Sequence, residues 1–317
     1  MRTCHLIRFQ RGHTLVELVM VIVVLGIIGV TFGFFIVPAV NANQAVERRA
    51  ALIDSAEIAL RRMARDIRIA LPNSVRVSYV AGTGFAIEMI PTVDGGRYCL
   101  GGDANCSGAS QLLAIGTSDT DFDILGCFQH LTAGPLPSAT RLVVGDASGA
   151  VYTGSGTNAV VTPASTTITL SIVNGGGTIA SGSCGASSGP SNTSFRHHIQ
   201  LSAGQTFSAG SDRRRVFVIQ TPVTYICNIS AGTLTRYHNY AISATAPTPT
   251  SPPSGASMVT AVVTDKVDTS IAGGDSCTVT TLTSDVQAKG YVTLSLRLKN
   301  AGETVQLYHE TELDNSQ

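Results

Sequence analysis

Residues 11–40 read RGHTLVELVMVIVVLGIIGVTFGFFIVPAV, and this stretch decides the architecture. From Leu18 to Val40 the 23 residues carry no charge and a single polar side chain, Thr31. As a helix they extend roughly 34 Å, enough to cross a hydrocarbon core of about 30 Å. Met1–Gly12 carry Arg2, Arg8 and Arg11 and no acid, and Glu47 and Asp54 follow the run. That asymmetry places the N-terminus in the cytoplasm and the rest of the chain on the far side of the membrane. The core of a secretory signal is shorter, about 7–15 residues before a small-residue cleavage site. Glu17 stands at the membrane edge, where an ionised side chain costs on the order of 3 kcal/mol and is normally partnered. It needs a cation.

C-terminal to the apolar run, Val46–Leu71 keep a helical pattern. Ile53, Ala56, Leu60, Met63 and Ile67 recur at three- and four-residue steps and form one apolar stripe. Glu57–Arg61 and Arg62–Asp66 have the spacing of opposite-charge pairs one turn apart. The cluster Arg61, Arg62, Arg65 and Arg68 reads as a solvated face. Pro72 stops the helix, with Leu71 restricted just before it. A helix from Thr14 to Leu71 measures roughly 87 Å.

Beyond Pro72 the pattern is β. Ser74–Val80, Phe85–Ile90, Arg141–Gly145, Thr167–Val173, His198–Leu201, Val216–Ile226, Met258–Val263 and Cys277–Leu282 are short β-branched or alternating runs. Val292, Leu294, Leu296 and Leu298 alternate with polar neighbours, and Lys299–Glu303 turn into Val305–Glu312 as a C-terminal hairpin. Gly/Ser/Thr-rich stretches at 145–166, 174–194 and 203–211 read as loops, and the Pro-rich 244–257 as an extended insertion. No internal repeat is evident. The fold expected is α+β: a long N-terminal helix, its first half transmembrane, packed on an antiparallel β-sheet domain with elaborate loops and disulfides.

Arg11-Gly12-His13-Thr14-Leu15-Val16-Glu17-Leu18 resembles the processing site of type IV prepilins and type II secretion pseudopilins. The resemblance implies cleavage by prepilin peptidase between Gly12 and His13, N-methylation of His13, and an assembly role for Glu17. It supplies the missing cation: the amine freed at His13 meets the Glu17 carboxylate of a neighbouring subunit in an apolar filament core, where low dielectric strengthens the pair. The chain then divides into a leader (1–12), a transmembrane and filament-core helix (13–40), the periplasmic half of that helix (41–71) and a β-rich globular domain (72–317). His13 stands where the family usually has Phe. Pro38 lies at the end of the apolar run rather than near its middle, and can kink the helix there. Gly29 and Gly33 have GxxxG spacing for close helix approach.

Four further stretches, Arg215–Cys227, Gly232–Tyr237, Leu307–Glu310 and Leu313–Asn315, resemble minor pilins of the mannose-sensitive haemagglutinin (MSHA) pilus. That resemblance implies a minor pilin working with major and other minor pilins and an inner-membrane assembly platform, in a filament used for surface attachment. The length favours a place at or near the tip. A J-type minor pseudopilin of type II secretion, or an anchored binding module or adhesin, are the alternatives.

Seven cysteines include Cys4 in the leader. The other six, Cys99, Cys106, Cys127, Cys184, Cys227 and Cys277, fall on the outer side, where an even count suggests three disulfides. Several pairings are open, and Cys99–Cys106, closing a short loop, is the one we favour. Gly185–Gly189 match the GxSxG pattern but lack the strand and helix that a nucleophile elbow needs. His197-His198 and Tyr308-His309-Glu310 read as polar positions on strand edges or hairpin faces, and Asp94-Gly95-Gly96 and Asp121/Asp123 fall short of a calcium loop. Asp212–Arg215 read as a solvated turn. No catalytic residue, metal site or cofactor is expected. With 21 basic and 21 acidic residues and only 13% charged, the chain has no basic stripe for nucleic acid.

Overall fold

The computed structural model describes residues 12, 14–101, 106, 111–145, 150–153, 160–174, 177–179, 195–270, 276–284 and 289–314. The protein is α+β, with one long helix, α1 (Leu15–Arg68), followed by antiparallel sheets. It divides into two compact units within α1, between Ala51 and Leu52.

In the second unit, α1 buries Leu52, Ala56, Ala59, Leu60, Met63, Ala64 and Ile67. The expected stripe is shifted by one position at its start: Leu52 is inside and Ile53 is 39% exposed. The helix also ends at Arg68, before the expected Leu71. Pro72 disfavours helix at Leu71, and the residues between are already pairing with a strand junction. Leu71 N–H donates to the Ile90 carbonyl at 2.7 Å, and Thr92 N–H to the Ile69 carbonyl at 2.8 Å.

The first sheet has the order β1 (Arg76–Val80), β2 (Gly84–Met89), β11 (Val223–Asn228), β12 (Thr233–His238), β13 (Val259–Thr264). The C-terminal sheet is β14 (Cys277–Ser284), β15 (Lys289–Asn300), β16 (Glu303–Asp314). Both contribute to one core with the helix: Phe85, Ile87 and Met89 from β2, Val223 and Tyr225 from β11, and Val292, Leu294, Leu296 and Leu298 from β15. The β15 residues are the alternating set read from the sequence. Period-two burial needs only a sheet with one covered face.

Two further sheets complete the unit. One is β3 (Thr92–Arg97), β10 (Arg215–Ile219), β6 (Arg141–Val144); the other runs β4 (Asp119–Asp123), β9 (Phe195–Gln205), β7 (Ile168–Asn174), β5 (Gly134–Pro135), with β8 (Gly177–Ile179) beside β7. Their core contains Tyr98, Phe122, Phe207, Val216 and Val218.

The single strand expected at Val216–Ile226 is two strands in different sheets. β2 and β3 break at Ile90-Pro91, and β10 and β11 break at Gln220–Pro222. The two breaks lie opposite each other: Met89 pairs with Val223 on one side and Thr92 with Ile219 on the other. A proline has no N–H for the ladder, so facing prolines let an antiparallel ribbon leave one sheet and enter the next. Gln220 N–H donates to the Pro91 carbonyl at 3.1 Å and closes the junction. β3, β4, β5, β8 and β12 were not anticipated. β3 contains Asp94-Gly95-Gly96 and β4 alternates acids, compositions that read as loop.

The C-terminal hairpin turns as expected, on Ala301-Gly302, with φ of 45° and 92°. Two positive φ values between directly paired Asn300 and Glu303 define the type I′ hairpin turn. Ala301 carries a left-handed conformation that costs about 1–2 kcal/mol for a residue with a Cβ.

Candidate functional site

Gly12 and Thr14 precede α1, and Glu17 lies in its first turn. The Thr14 carbonyl accepts the Leu18 N–H at 3.1 Å, and its Oγ1 accepts the Glu17 N–H at 3.3 Å. Thr14 is therefore the N-cap and Glu17 the third helical residue. That is the spacing of a capping box, with a carboxylate at the positive end of the helix dipole. In the sequence Glu17 is conspicuous for its charge, and Thr-x-x-Glu is the signal that marks Thr14. Gly12 and Glu17 are exposed, and among the described residues no cation pairs with Glu17. His13 lies outside the described residues.

From Leu15 to Val40 every large apolar side chain is at least 45% exposed. The helix is long and apolar enough to cross a membrane, and none of its most apolar stretch is buried. It continues through Pro38. Solvation of so much apolar surface is unfavourable at about 25 cal/mol per Å², so this half of the helix requires lipid or other helices around it.

Four buried acids of the second unit, Asp66, Glu88, Asp123 and Asp268, each hold an arginine. Asp66, on the helix, accepts from Tyr225 Oη at 2.8 Å and Arg236 Nε at 3.0 Å. The expected partner was Arg62; among the described residues Asp66 makes its ion pair with Arg236 instead, because it faces the sheet. Glu57–Arg61 does form. Burial, and then the adjacent Asp66 charge, push the Tyr225 hydroxyl pKa up, so it stays a donor.

Asp123 binds the Arg196 guanidinium through one oxygen, and the other lies 2.7 Å from His198 Nδ1. The second ring nitrogen of His198 is 3.7 Å from Asp121. His197 is fully buried, and its Nδ1 accepts the Phe128 N–H at 3.1 Å. The histidine pair is thus not on a strand edge: β9 is interior, flanked by β4 and β7. The acids that complete the cluster come from a strand distant in sequence.

This cluster makes stability depend on pH. The hydrogen bond to Asp123 raises the His198 pKa above its ordinary 6.5, outweighing burial, and the charges of Asp123 and Asp121 add to it against Arg196. A raised base stabilises the fold fully below about pH 6.5 and loses that contribution as pH rises through its folded value. His197 has the opposite sign. Burial lowers its pKa despite the Asp94 charge, so its contribution is lost only on acidification below 6.5. Between pH 6.5 and 8.5 the urea midpoint of the wild type is expected to fall, and that of His198→Gln to fall less. Equal slopes in the two proteins would show that the ion cluster carries no proton linkage.

Among the described residues two cysteine pairs are bonded: Cys99–Cys106, with Cα atoms 6.0 Å apart, and Cys227–Cys277, at 6.5 Å. Cys127 is also disulfide-bonded, and Cys184 and the GxSxG stretch at 185–189 lie outside the described residues. The first pair is the one favoured from sequence. The second ties β11 to β14, a pairing across two sheets that spacing could not indicate. Asp94 lies in β3, where its carboxylate accepts from Gly95 N–H at 2.8 Å and His130 N–H at 2.6 Å. Tyr308-His309-Glu310 lie on β16, and Arg214, at φ 57°, sits in the turn before β10. No family model, curated protein or solved structure matches the chain.

Proposed function

We propose that this protein is a minor pilin: made with a leader, inserted once through the inner membrane, cut by prepilin peptidase after Gly12, and extracted into an MSHA-like type IV pilus as an initiating or tip subunit. One observation carries the reading. A carboxylate, Glu17, sits in the first turn of a helix whose following apolar surface is exposed among the described residues. A membrane anchor needs the apolar surface but not the acid. A filament subunit uses both, because the amine released at His13 of one subunit neutralises Glu17 of the next among packed helices. The large disulfide-bonded β domain is bulky for a repeated lattice, which favours a minor position. Of the stretches resembling the MSHA pilus biogenesis protein MshO, those on β10, β11 and β12 lie on interior strands of their sheets, and Leu307–Glu310 lie on the edge strand β16. A surface-attachment role follows from that resemblance.

Sequencing the N-terminus of the mature protein purified from its native cells tests the reading. The expected first residue is His13, N-methylated, and Gly12→Ala is expected to retain the leader. A mature chain that still begins at Met1 would leave an anchored binding module as the account. If the chain is cut but copurifies with a secretion apparatus rather than a pilus, it is a type II pseudopilin.

A further inference from the structure

A concave pocket of about 330 Å³ opens where the β10–β11 break, the start of β6 and the Pro-rich segment meet. Arg141 lines it from the first residue of β6. Among the described residues no carboxylate or other side chain pairs with this guanidinium. Its partial burial is the sole influence on it, drawing its pKa below the usual arginine value. Arg76, Arg196, Arg236 and Arg297, by contrast, each hold an acid. A desolvated cation without a counter-ion costs stability, and a fold keeps such a cost most readily at a binding site.

The surroundings say what kind of anion fits. Ser138, Gln220, Thr221 and Ser254 also line the pocket, with neutral hydroxyl and amide groups that make no side-chain hydrogen bond among the described residues. Tyr240 and Ile242 add apolar surface. One guanidinium with no lysine or second arginine beside it matches a singly charged, planar carboxylate in a forked pair better than a phosphate dianion. The ring of neutral donors and acceptors suits a hydroxylated ligand. The volume is at the low end for small-molecule sites, about 300–1,000 Å³.

The Pro-rich wall is built rather than loose. Arg76 pairs with buried Glu88 and donates to the carbonyls of Ser243, Ala244 and Thr245 at 2.8, 3.0 and 3.2 Å. Tyr240 Oη donates to Glu88 at 2.8 Å, and Asn239 Nδ2 to the Ser257 carbonyl at 2.7 Å. Both ends of the segment are therefore clamped to β1, β2 and the chain after β12. This is the rigid support a binding wall requires.

We propose that this pocket binds a hexuronic acid unit, its carboxylate on Arg141 and its hydroxyls on the neutral rim. The site stands whether or not the chain enters a filament. The probe is D-glucuronate, titrated by calorimetry into the detergent-solubilised full chain, with D-glucose and sulfate as controls and methyl β-D-glucuronide as a mimic of a glycan end. Saturable glucuronate binding, at least tenfold tighter than glucose or sulfate, is expected. Binding of the methyl glycoside to the same degree assigns the site to a chain-terminal unit; its rejection assigns it to the free acid. Arg141→Gln should lower glucuronate affinity at least tenfold while its melting temperature stays level or rises, because an unpaired charge has been removed. Ala256→Leu, which crowds the pocket with Arg141 intact, should weaken binding as well. Equal binding of glucose, tighter binding of sulfate, undiminished binding by properly folded Arg141→Gln, or no saturable glucuronate binding at all would overturn the proposal.

Discussion

Replacing Glu17 by Gln is expected to leave leader removal intact and to cut the number of surface filaments at least tenfold, counted by electron microscopy in a strain carrying only the variant. The side chain keeps its length and helix propensity, and the backbone cap is retained, since Thr14 Oγ1 accepts the Glu17 N–H rather than any side-chain atom. Loss of charge at a helix N-terminus costs only about 0.3–1 kcal/mol. Loss of one partner from a buried ion pair costs about 3–5 kcal/mol, because the other charge stays desolvated. At about 1.4 kcal/mol per tenfold, these two roles of Glu17 differ by orders of magnitude in association. Thr14→Ala supplies the contrast. It removes the cap, worth about 1 kcal/mol, but keeps the carboxylate, and filament numbers are expected to stay within a few-fold of wild type. Normal filament counts with Glu17→Gln would reduce Glu17 to a capping residue and overturn the proposed assembly role.

The second large effect belongs to Cys227–Cys277. The bond closes a loop with a sequence separation of 50, for which the chain-entropy relation gives ~4 kcal/mol. Both cysteines are fully buried in the core shared by α1, the first sheet and the C-terminal sheet. Cys227→Ala with Cys277→Ala is therefore expected to lose about 2–4 kcal/mol. The denaturant midpoint should fall accordingly, and β14–β16 should become the first region to gain hydrogen exchange. Cys99–Cys106 closes a separation of only 7, and its removal should cost less, because the entropy of closure grows with loop length. An unchanged midpoint in the Cys227/Cys277 double variant would mean that packing alone holds the C-terminal sheet in place.

What was legible in the sequence were features with a local cause. The apolar run at 18–40, the stripe of α1, the alternation in β15 and the turn at Ala301-Gly302 each follow from periodicity or backbone chemistry within a dozen residues. Glu17 stands out for its charge at the edge of the apolar run, and Gly12 only through the resemblance to prepilin processing sites. Asp121, Asp123 and His198 were each noticed but weighed apart, because β4 and β9 are neighbours in space and distant in the chain. Arg141 read as an ordinary strand residue. Its lack of a partner is visible only once the residues that the fold brings around it are known.

By itself the sequence determined that a membrane-length helix leads into a β-rich domain, because solvation and hydrogen-bond periodicity act residue by residue. The tertiary structure alone decided where β10 parts from β11, which cysteines meet, and which buried charges are paired. Those outcomes depend on groups far apart in the chain arriving at one place, and no local free energy encodes their meeting.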